Sequence, residues 1–155
     1  MAAIPTDIFH DVEWHLHREP QLIWQAERAR GRALDCAFST GCMIGDGLPH
    51  GKGRHSEATA NKALLLVQAG LSVEQARAWV AAIRQTYAYY RDTDVARMAA
   101  GYYGQRVTLR ALAEQMGVAE KTLNRHRDKF VSTCALFAAA GGVVKITEES
   151  TSCGV

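Results

Sequence analysis

The 155-residue chain lacks any apolar run long enough to cross a membrane, and its first residues lack the basic segment and apolar stretch of a signal peptide. Cys153 lies third from the end, a position that does not fit a prenylation box. With four cysteines and no secretory signal, we expect reduced thiols and not a disulfide framework. These absences predict a cytoplasmic protein that does not associate with a membrane.

The sequence also lacks the residue patterns of a catalytic site. No set of Ser, His and Asp residues suggests a nucleophile with its base, and the carboxylates are scattered. His10, His15 and His17 crowd the first predicted helix, but no Cys or carboxylate pattern completes a set of metal ligands. We therefore predict that the protein is not an enzyme and that these histidines lie on the surface.

Strand patterns are missing too, because the apolar residues follow a helical spacing along nearly the whole chain. This spacing predicts an all-α fold, a helical body with a C-terminal helix-turn-helix. A first helix is predicted at residues 6–19, ended by Pro20, and a second at residues 21–38.

Glycine is concentrated in one segment, residues 39–55, which holds five of them and is predicted to be a long loop. After this loop, a helix that begins near Ser56 is predicted to end at Gly70. Ser72 and Gln75 have the spacing of a capping box, which predicts that the next helix begins there.

These elements predict three parts of the chain. Residues 1–91 form a helical N-terminal body, residues 92–140 form the helix-turn-helix domain, and residues 141–155 form a flexible tail. Either Asp92 or Thr93 is expected to cap the first helix of the second part.

The segment TLRALAEQMGVAEKTLNRHRDKF, residues 108–130, has the spacing of a helix-turn-helix. Gly117 is expected to adopt the left-handed backbone of the turn. Ala113 is small enough for two helices to cross closely, and Leu123 is placed to pack the second helix on the first. The helices are predicted at Leu109–Met116 and at Glu120–Phe130, with a continuation towards Gly141. The pattern favours DNA binding, and a helical hairpin without a ligand is the alternative.

The charges of this segment support DNA binding, since residues 104–130 carry six basic and three acidic side chains. Arg106 and Arg110 suit backbone phosphates, and Asn and Arg can bind base edges in the major groove. Ala119 stands where a capping Ser or Thr is usual, and His126 lies at the edge of the apolar stripe. The side of the second helix opposite that stripe holds Glu120, Lys121, Asn124, Arg125 and Asp128, with Lys129 at its edge. Glu120 and Lys129 are predicted DNA contacts together with Lys121, Asn124 and Arg125.

The stretch DVARMAAGYYGQRVTLRALAEQMGVAEKTLNRHRDKFVSTCALFA resembles the last DNA-binding region of sigma factors, in which an aromatic-glycine turn precedes the helix-turn-helix. The same region closes phage late-gene regulators of the ArpU/RinA type, to which VEWHLHREPQLIWQAE and GKGRHSEATANKALLLV are also similar. The resemblance implies a phage protein in a bacterial host cell. It would activate late genes by binding double-stranded DNA near a promoter, with the host RNA polymerase as a partner. In this resemblance Lys121, Asn124 and Arg125 face bases, and Arg106, Arg110, Thr122 and Arg127 lie near phosphates.

Two other families of phage proteins are alternatives. The chain also resembles Q-type antitermination proteins, which bind DNA and then load onto RNA polymerase, so that transcription passes terminators. Small terminase subunits carry helix-turn-helix modules as well, usually at the N-terminus, and are a remoter alternative.

A zinc-stabilised interaction protein without DNA contact is the alternative from another functional class. Cys36, Cys42, His50 and His55 are spaced C-x5-C-x7-H-x4-H around the glycine-rich segment. Two thiolates and two imidazoles suit tetrahedral zinc, although the spacing of the cysteines is wider than usual. The competing interpretation has no cofactor, with Cys36 buried and the histidines exposed.

Aromatic and apolar residues flank the helix-turn-helix. Cys134 and Phe137 continue the apolar stripe of the second helix and could pair with a second copy in a homodimer. The tyrosines could stack on bases, but the favoured interpretation is that they pack the joint between the body and the helical pair. They are Tyr87, Tyr89, Tyr90, Tyr102 and Tyr103.

Overall fold

The computed structural model describes residues 4–39 and 55–145, and every regular element within these ranges is helical, which confirms the predicted all-α fold. None of the described helices has the length and apolarity that a membrane span requires. Nearly all of the predicted glycine-rich loop and most of the predicted tail lie outside the described residues. The helices are α1 (Thr6–Ser39), α2 (His55–Tyr89), α3 (Asp94–Ala99), α4 (Leu109–Met116) and α5 (Glu120–Ala140), and a π-helical segment, Ala100–Gly104, follows α3.

The predicted end of the first helix at Pro20 is wrong, because α1 continues through this residue. A proline inside a helix removes one backbone hydrogen bond, which would lead to the carbonyl group four residues earlier. Leu16 and Leu22 are both buried, one on each side of Pro20. Burial of apolar side chains before and after the proline stabilises the helical conformation of both segments and offsets the lost bond.

The predicted helix end at Gly70 is also wrong, since α2 runs through it without a break. The capping box predicted at Ser72 does not form. Instead, the Ser72 hydroxyl donates to the carbonyl oxygen of Gln68 at 3.1 Å, a bond typical of a residue inside a helix. A helical glycine costs about 1 kcal/mol relative to alanine, and the burial of Val73 and Ala76 just after it offsets that cost.

The described residues divide into two compact units at boundaries that differ from the predicted ones. Residues within Met1–Glu19 and Ala78–Val155 form the first unit, and residues within Pro20–Arg77 form the second. The first unit takes in the beginning of α1 and the end of α2 because side chains of both segments, such as Val12 and Ile83, are buried there with the C-terminal helices. The C-terminal helices therefore form one compact unit with the beginning of α1 and the end of α2.

Phe130 of α5 lies at the centre of the aromatic core of the first unit and is fully buried. Its ring centroid lies 5.0 Å from that of Tyr87, 6.0 Å from that of Tyr90 and 6.1 Å from that of Tyr103. The Tyr90 hydroxyl also forms a 2.8 Å hydrogen bond with the Thr133 hydroxyl. For these three tyrosines, the prediction that they pack the joint between the body and the helical pair is confirmed.

The second unit has few buried apolar side chains, chiefly Leu22, Val73 and Ala76. Arg77 pairs with Glu27 across its two helical segments at 3.6 Å. The helix predicted through Leu64 and Val67 forms, but these side chains face solvent. The large apolar side chains exposed in this unit are Trp24, Leu64, Leu65, Val67 and Leu71.

Thr93 and not Asp92 caps α3. The Ala96 amide donates to the Thr93 hydroxyl at 3.4 Å, and that hydroxyl donates to the carbonyl oxygen of Tyr90 at 2.6 Å. Asp92 occupies the preceding turn with a left-handed backbone, φ 62°. Aspartate tolerates this conformation better than most residues, so the turn brings the chain from α2 into α3.

Candidate nucleic-acid interface

The turn between α4 and α5 forms around Gly117, whose φ of +66° confirms the predicted left-handed backbone. The Gly117 amide donates to the carbonyl of Glu114 at 3.4 Å, and the Val118 amide donates to that of Ala113 at 3.1 Å. This pair of bonds is the Schellman arrangement that ends many helices. It satisfies carbonyl groups that the end of α4 would otherwise leave unpaired, so the turn holds α5 at a fixed angle to α4.

Buried apolar side chains hold α4 against its neighbours. Leu112, Ala113 and Leu123 are all buried, as the spacing of the segment predicted. Gly101 of the π-helical segment lies so close to Leu112 that an added Cβ would be 2.5 Å from its Cδ2 atom. The absence of a side chain at this glycine is therefore what allows α4 to pack against the π-helical segment.

The first three turns of α5 present a cationic face to solvent. Lys121, Arg125 and Lys129 are exposed, and none of them forms an ion pair with a described carboxylate. Thr122 and Asn124 are half-buried, and the Asn124 amide donates to the carbonyl of Glu120 at 3.2 Å. Glu120 and Asp128 are exposed beside these residues. Seven of the nine predicted DNA contacts lie on this face of α5 or on α4, the first helix of the pair. They are Arg110, Glu120, Lys121, Thr122, Asn124, Arg125 and Lys129.

The N-cap position of α5 lacks a capping side chain, because Ala119 has the extended backbone of a cap, φ −70° and ψ 140°, but no hydrogen-bonding group. We expect Ala119→Ser to raise the free energy of unfolding by about 1 kcal/mol, because a serine hydroxyl can accept a hydrogen bond from an amide of the first turn. Urea unfolding followed by circular dichroism measures the change. Ala119→Val keeps the extended backbone and adds no acceptor, so an equal gain with valine would contradict the capping explanation.

Arg110 and Arg106 lie on and before α4. Arg110 is exposed and forms an ion pair with Glu114 one turn later, at 3.7 Å. An exposed pair of this kind contributes little to stability, so the guanidinium can exchange its carboxylate partner for another anion. Arg106 is also exposed, and its φ of 56° puts it in the left-handed region that side chains other than glycine rarely adopt.

The structure places Arg127 apart from the other predicted contacts. Its side chain is only 27% exposed, and its Nε atom lies 3.5 Å from Oε1 of Glu13, a carboxylate that is 18% exposed. The Arg127 guanidinium also lies over the ring of Phe9, 5.6 Å from its centroid. Glu13 accepts a hydrogen bond of 3.1 Å from the Tyr103 hydroxyl as well. Arg127 therefore joins α5 to α1 and to the π-helical segment within the first unit.

The contacts of Glu13 were missed in the sequence because no local pattern points to them. About a hundred residues of sequence separate Glu13 from its partners Tyr103 and Arg127. Its spacing from His17 indicates only that these two side chains lie on the same face of one helix. Burial and the nearby Glu13 carboxylate together raise the pKa of Tyr103 far above its usual value, so the phenol stays protonated and keeps its hydrogen bond.

A cavity of about 490 Å³ lies beside the start of α4, and two of its lining residues, His17 and Arg18, come from α1. Of the histidines predicted to lie on the surface, His10 is exposed, whereas His15 and His17 are half-buried. The His17 ring packs edge-on against those of Tyr102 and Tyr103, and the His15 ring stacks on that of Trp79 at 3.8 Å. Burial lowers the pKa of His17. The carboxylate of Glu13 opposes this effect, and the charge of Arg106 adds to it. The complete lining is His17, Arg18, Tyr102, Arg106, Val107 and Thr108.

The zinc hypothesis falls mainly on residues that the structure does not describe, since Cys42 and His50 both lie in 40–54. The described part of the chain contains no cluster of three or more potential metal ligands. Cys36, expected to be buried in the absence of zinc, is exposed. Cys134 is fully buried within the first unit, so it offers no surface to a second copy of the chain.

The structure thus provides a fixed turn, a buried junction and a cationic helix face within one compact unit. Comparison of the chain with protein-family models, with curated proteins and with solved structures finds no match.

Proposed function

We propose that the protein binds double-stranded DNA through α4 and α5 and regulates transcription. The observation that carries the proposal is a left-handed turn at Gly117 next to a cationic face, where Lys121 and Arg125 form no ion pair with a described carboxylate. An α-helix fits the major groove of DNA, and the N-terminal residues of the second helix are the ones that meet base edges in such a pair. Both cations lie within the first two turns of α5.

The proposed DNA contacts fall into two groups, those with base edges and those with backbone phosphates. A guanidinium such as that of Arg125 can donate two hydrogen bonds to the O6 and N7 atoms of guanine. Asn124 can form a bidentate contact with adenine once its amide leaves the Glu120 carbonyl, which is a neighbour on its own helix. Arg110 and Lys129 suit phosphates, whose neutralisation supplies much of the affinity. Arg127, predicted from the resemblance to lie near phosphates, has instead the role of orienting α5 through Glu13.

The resemblance to regulators of the ArpU/RinA type supports a more specific assignment, activation of phage late genes together with host RNA polymerase. A helical pair held rigidly in the first unit suits such a role, because bases are recognised only when the helix lies at a fixed depth and angle in the groove. We expect the purified protein to raise transcription from a promoter that carries its binding site and has no downstream terminator.

Single substitutions on α5 test the proposal. We expect Lys121→Ala or Arg125→Ala to weaken binding to a duplex selected from random sequences by about 1–3 kcal/mol, roughly 5- to 150-fold. Gel shifts at fixed salt measure the affinity. Arg32→Ala is the control, because this arginine is also exposed but lies on α1 in the second unit.

Two results would contradict this proposal. One is a wild-type protein that selects no duplex at 50 mM salt, where phosphate contacts are strong. The other is equal affinity for the selected duplex in the wild type and in the Lys121 and Arg125 variants, while circular dichroism shows all three folded.

A further inference from the structure

The cavity beside α4 joins basic side chains that are far apart in sequence. His17 and Arg18 belong to α1, whereas Arg106 follows the π-helical segment. Tyr102 and Thr108 add hydroxyl groups, and no lining residue carries a carboxylate. Two of the six lining side chains are guanidinium groups, so the charge of the lining favours an anion.

Neither arginine of the cavity is neutralised by the described part of the chain. No described carboxylate forms an ion pair with Arg18 or Arg106. The Arg18 guanidinium lies over the ring of Trp14, 4.3 Å from its centroid, a cation–π contact that leaves its positive charge without a carboxylate partner among the described residues. Two exposed guanidinium groups beside one cavity create a positive potential that a bound anion would stabilise.

The backbone of Arg106 is held in a strained conformation. Its left-handed conformation, φ 56°, is unfavourable for a residue with a Cβ atom. The flanking amides fix it, since Gln105 donates to the carbonyl of Ala100 and Val107 donates to that of Gly101, each at 3.0 Å. The direction of the Cα–Cβ bond of Arg106 is thus set by the end of the π-helical segment before any ligand binds.

His17 contributes a hydrogen-bond donor to the cavity and little charge. Its ring centroid lies 5.3 Å from that of Tyr102 and 4.9 Å from that of Tyr103. Because its pKa is lowered by burial and by Arg106, the imidazole is neutral at neutral pH and has one N–H group. The Glu13 carboxylate, which opposes this shift, is already engaged by Tyr103.

The start of α4 completes the site. Thr108 caps this eight-residue helix by accepting a hydrogen bond of 3.3 Å from the Ala111 amide. The amides of the first helical turn and the helix dipole favour an anion at this end. We infer that this cavity binds one backbone phosphate of duplex DNA, and that α1 therefore takes part in DNA binding through His17 and Arg18.

The source of the phosphate follows from the position of α4, and this step rests on the proposed function. When a helix-turn-helix binds DNA, its first helix crosses the sugar-phosphate backbone while its second helix lies in the major groove. The cavity borders the N-terminus of α4, the first helix of this pair. A backbone phosphate is the anion that this geometry brings to the cavity, and it carries no sequence information.

Salt titrations of the full chain test the inference. For Arg18→Gln and Arg106→Asn, we expect affinity for a selected duplex and for an unrelated duplex to fall by the same factor. The slope of log affinity against log salt should decrease in magnitude by about 1, because one phosphate contact is lost. The ratio of wild-type to variant affinity should then shrink about fourfold between 50 and 200 mM salt. Asparagine is chosen at position 106 because it tolerates a left-handed backbone.

Matched variants separate the site from general charge effects. Arg18→Lys keeps a cation and should retain most of the slope, whereas Arg84→Gln removes an exposed cation of α2 outside the cavity and should leave the slope unchanged. If the wild type binds DNA and both cavity variants keep the wild-type slope, the phosphate site is overturned while the proposed function stands. If the wild type binds no duplex at 50 mM salt, both are overturned.

Discussion

Replacement of Phe130 with alanine is expected to lower the free energy of unfolding by about 3–5 kcal/mol, a large share of the stability of a protein this size. Phe130 is fully buried and touches the rings of Tyr87, Tyr90 and Tyr103. Its removal takes away one whole side chain and leaves a cavity between α5, the end of α2 and the π-helical segment, which the surrounding rings can fill only in part. Urea unfolding at pH 7 measures the loss.

Leu136→Ala is the control for this effect, because Leu136 lies on the same helix and is 57% exposed. Its stability should stay within about 0.5 kcal/mol of the wild type. If Phe130→Ala does not fold, Phe130→Leu provides the measurement, with an expected loss of about 1–2 kcal/mol. A wild-type midpoint for either Phe130 variant would show that this residue does not anchor α5 in the core.

The anchor matters for the cationic face as well as for stability. Phe130 lies about one and a half turns after Arg125, so the core fixes the rotation of α5 close to the proposed base contacts. Arg127 adds a second attachment, to α1, because its Nε atom lies 3.5 Å from Oε1 of Glu13. Two attachments within one stretch of helix restrict both its rotation and its tilt, which a helix that recognises bases requires.

Local signals in the sequence were sufficient to predict the helical pair. The bounds of α4, the left-handed Gly117 and the burial of Leu123 all depend on residues within one short segment. A left-handed position requires a residue that tolerates it, and apolar spacing decides which side of a helix packs. Neither signal depends on the rest of the fold, so both could be predicted.

Helix ends and distant contacts could not be predicted in the same way. Pro20 and Gly70 disfavour a helix locally, yet α1 and α2 run through them. Burial of side chains on both sides of Pro20, and after Gly70, outweighs a cost of a few kcal/mol at most. The pairing of Glu13 with Arg127 and the cavity shared by His17 and Arg106 depend on how distant helices pack. A single sequence contains no periodic signal for such contacts.

Raising the pH above 9 is expected to destabilise the protein strongly, because buried groups of the core resist ionisation. Burial raises the pKa of the Cys134 thiol from its ordinary 9.0 to about 11, a difference worth about 3 kcal/mol. The unfolded chain releases this proton at lower pH than the folded one. The contribution is therefore complete below pH 9.0 and is lost as the pH rises to about 11. Urea unfolding at several values between pH 8 and pH 11, with a reductant present, measures the decline.

Tyrosines of the same core add to this loss at higher pH. Burial, with smaller contributions from Glu19 and Cys134, raises the pKa of Tyr87 from 10.0 to about 12, and burial with the Glu13 carboxylate raises that of Tyr103 further. Their stabilisation is present below pH 10.0 and decreases above it.

Two variants separate the contributions to the alkaline decline. Cys134→Ala should remove about 3 kcal/mol of the decline that begins near pH 9, whatever it costs at neutral pH. Tyr103→Phe should be less stable at pH 7, because it lacks the hydrogen bond to Glu13, but should lose less stability above pH 10. A wild type with the same unfolding midpoint at pH 8 and pH 11 would mean that solvent reaches these groups in the folded state. The junction of α1, α2 and α5 would then be looser than the contacts of Tyr103 and Phe130 require.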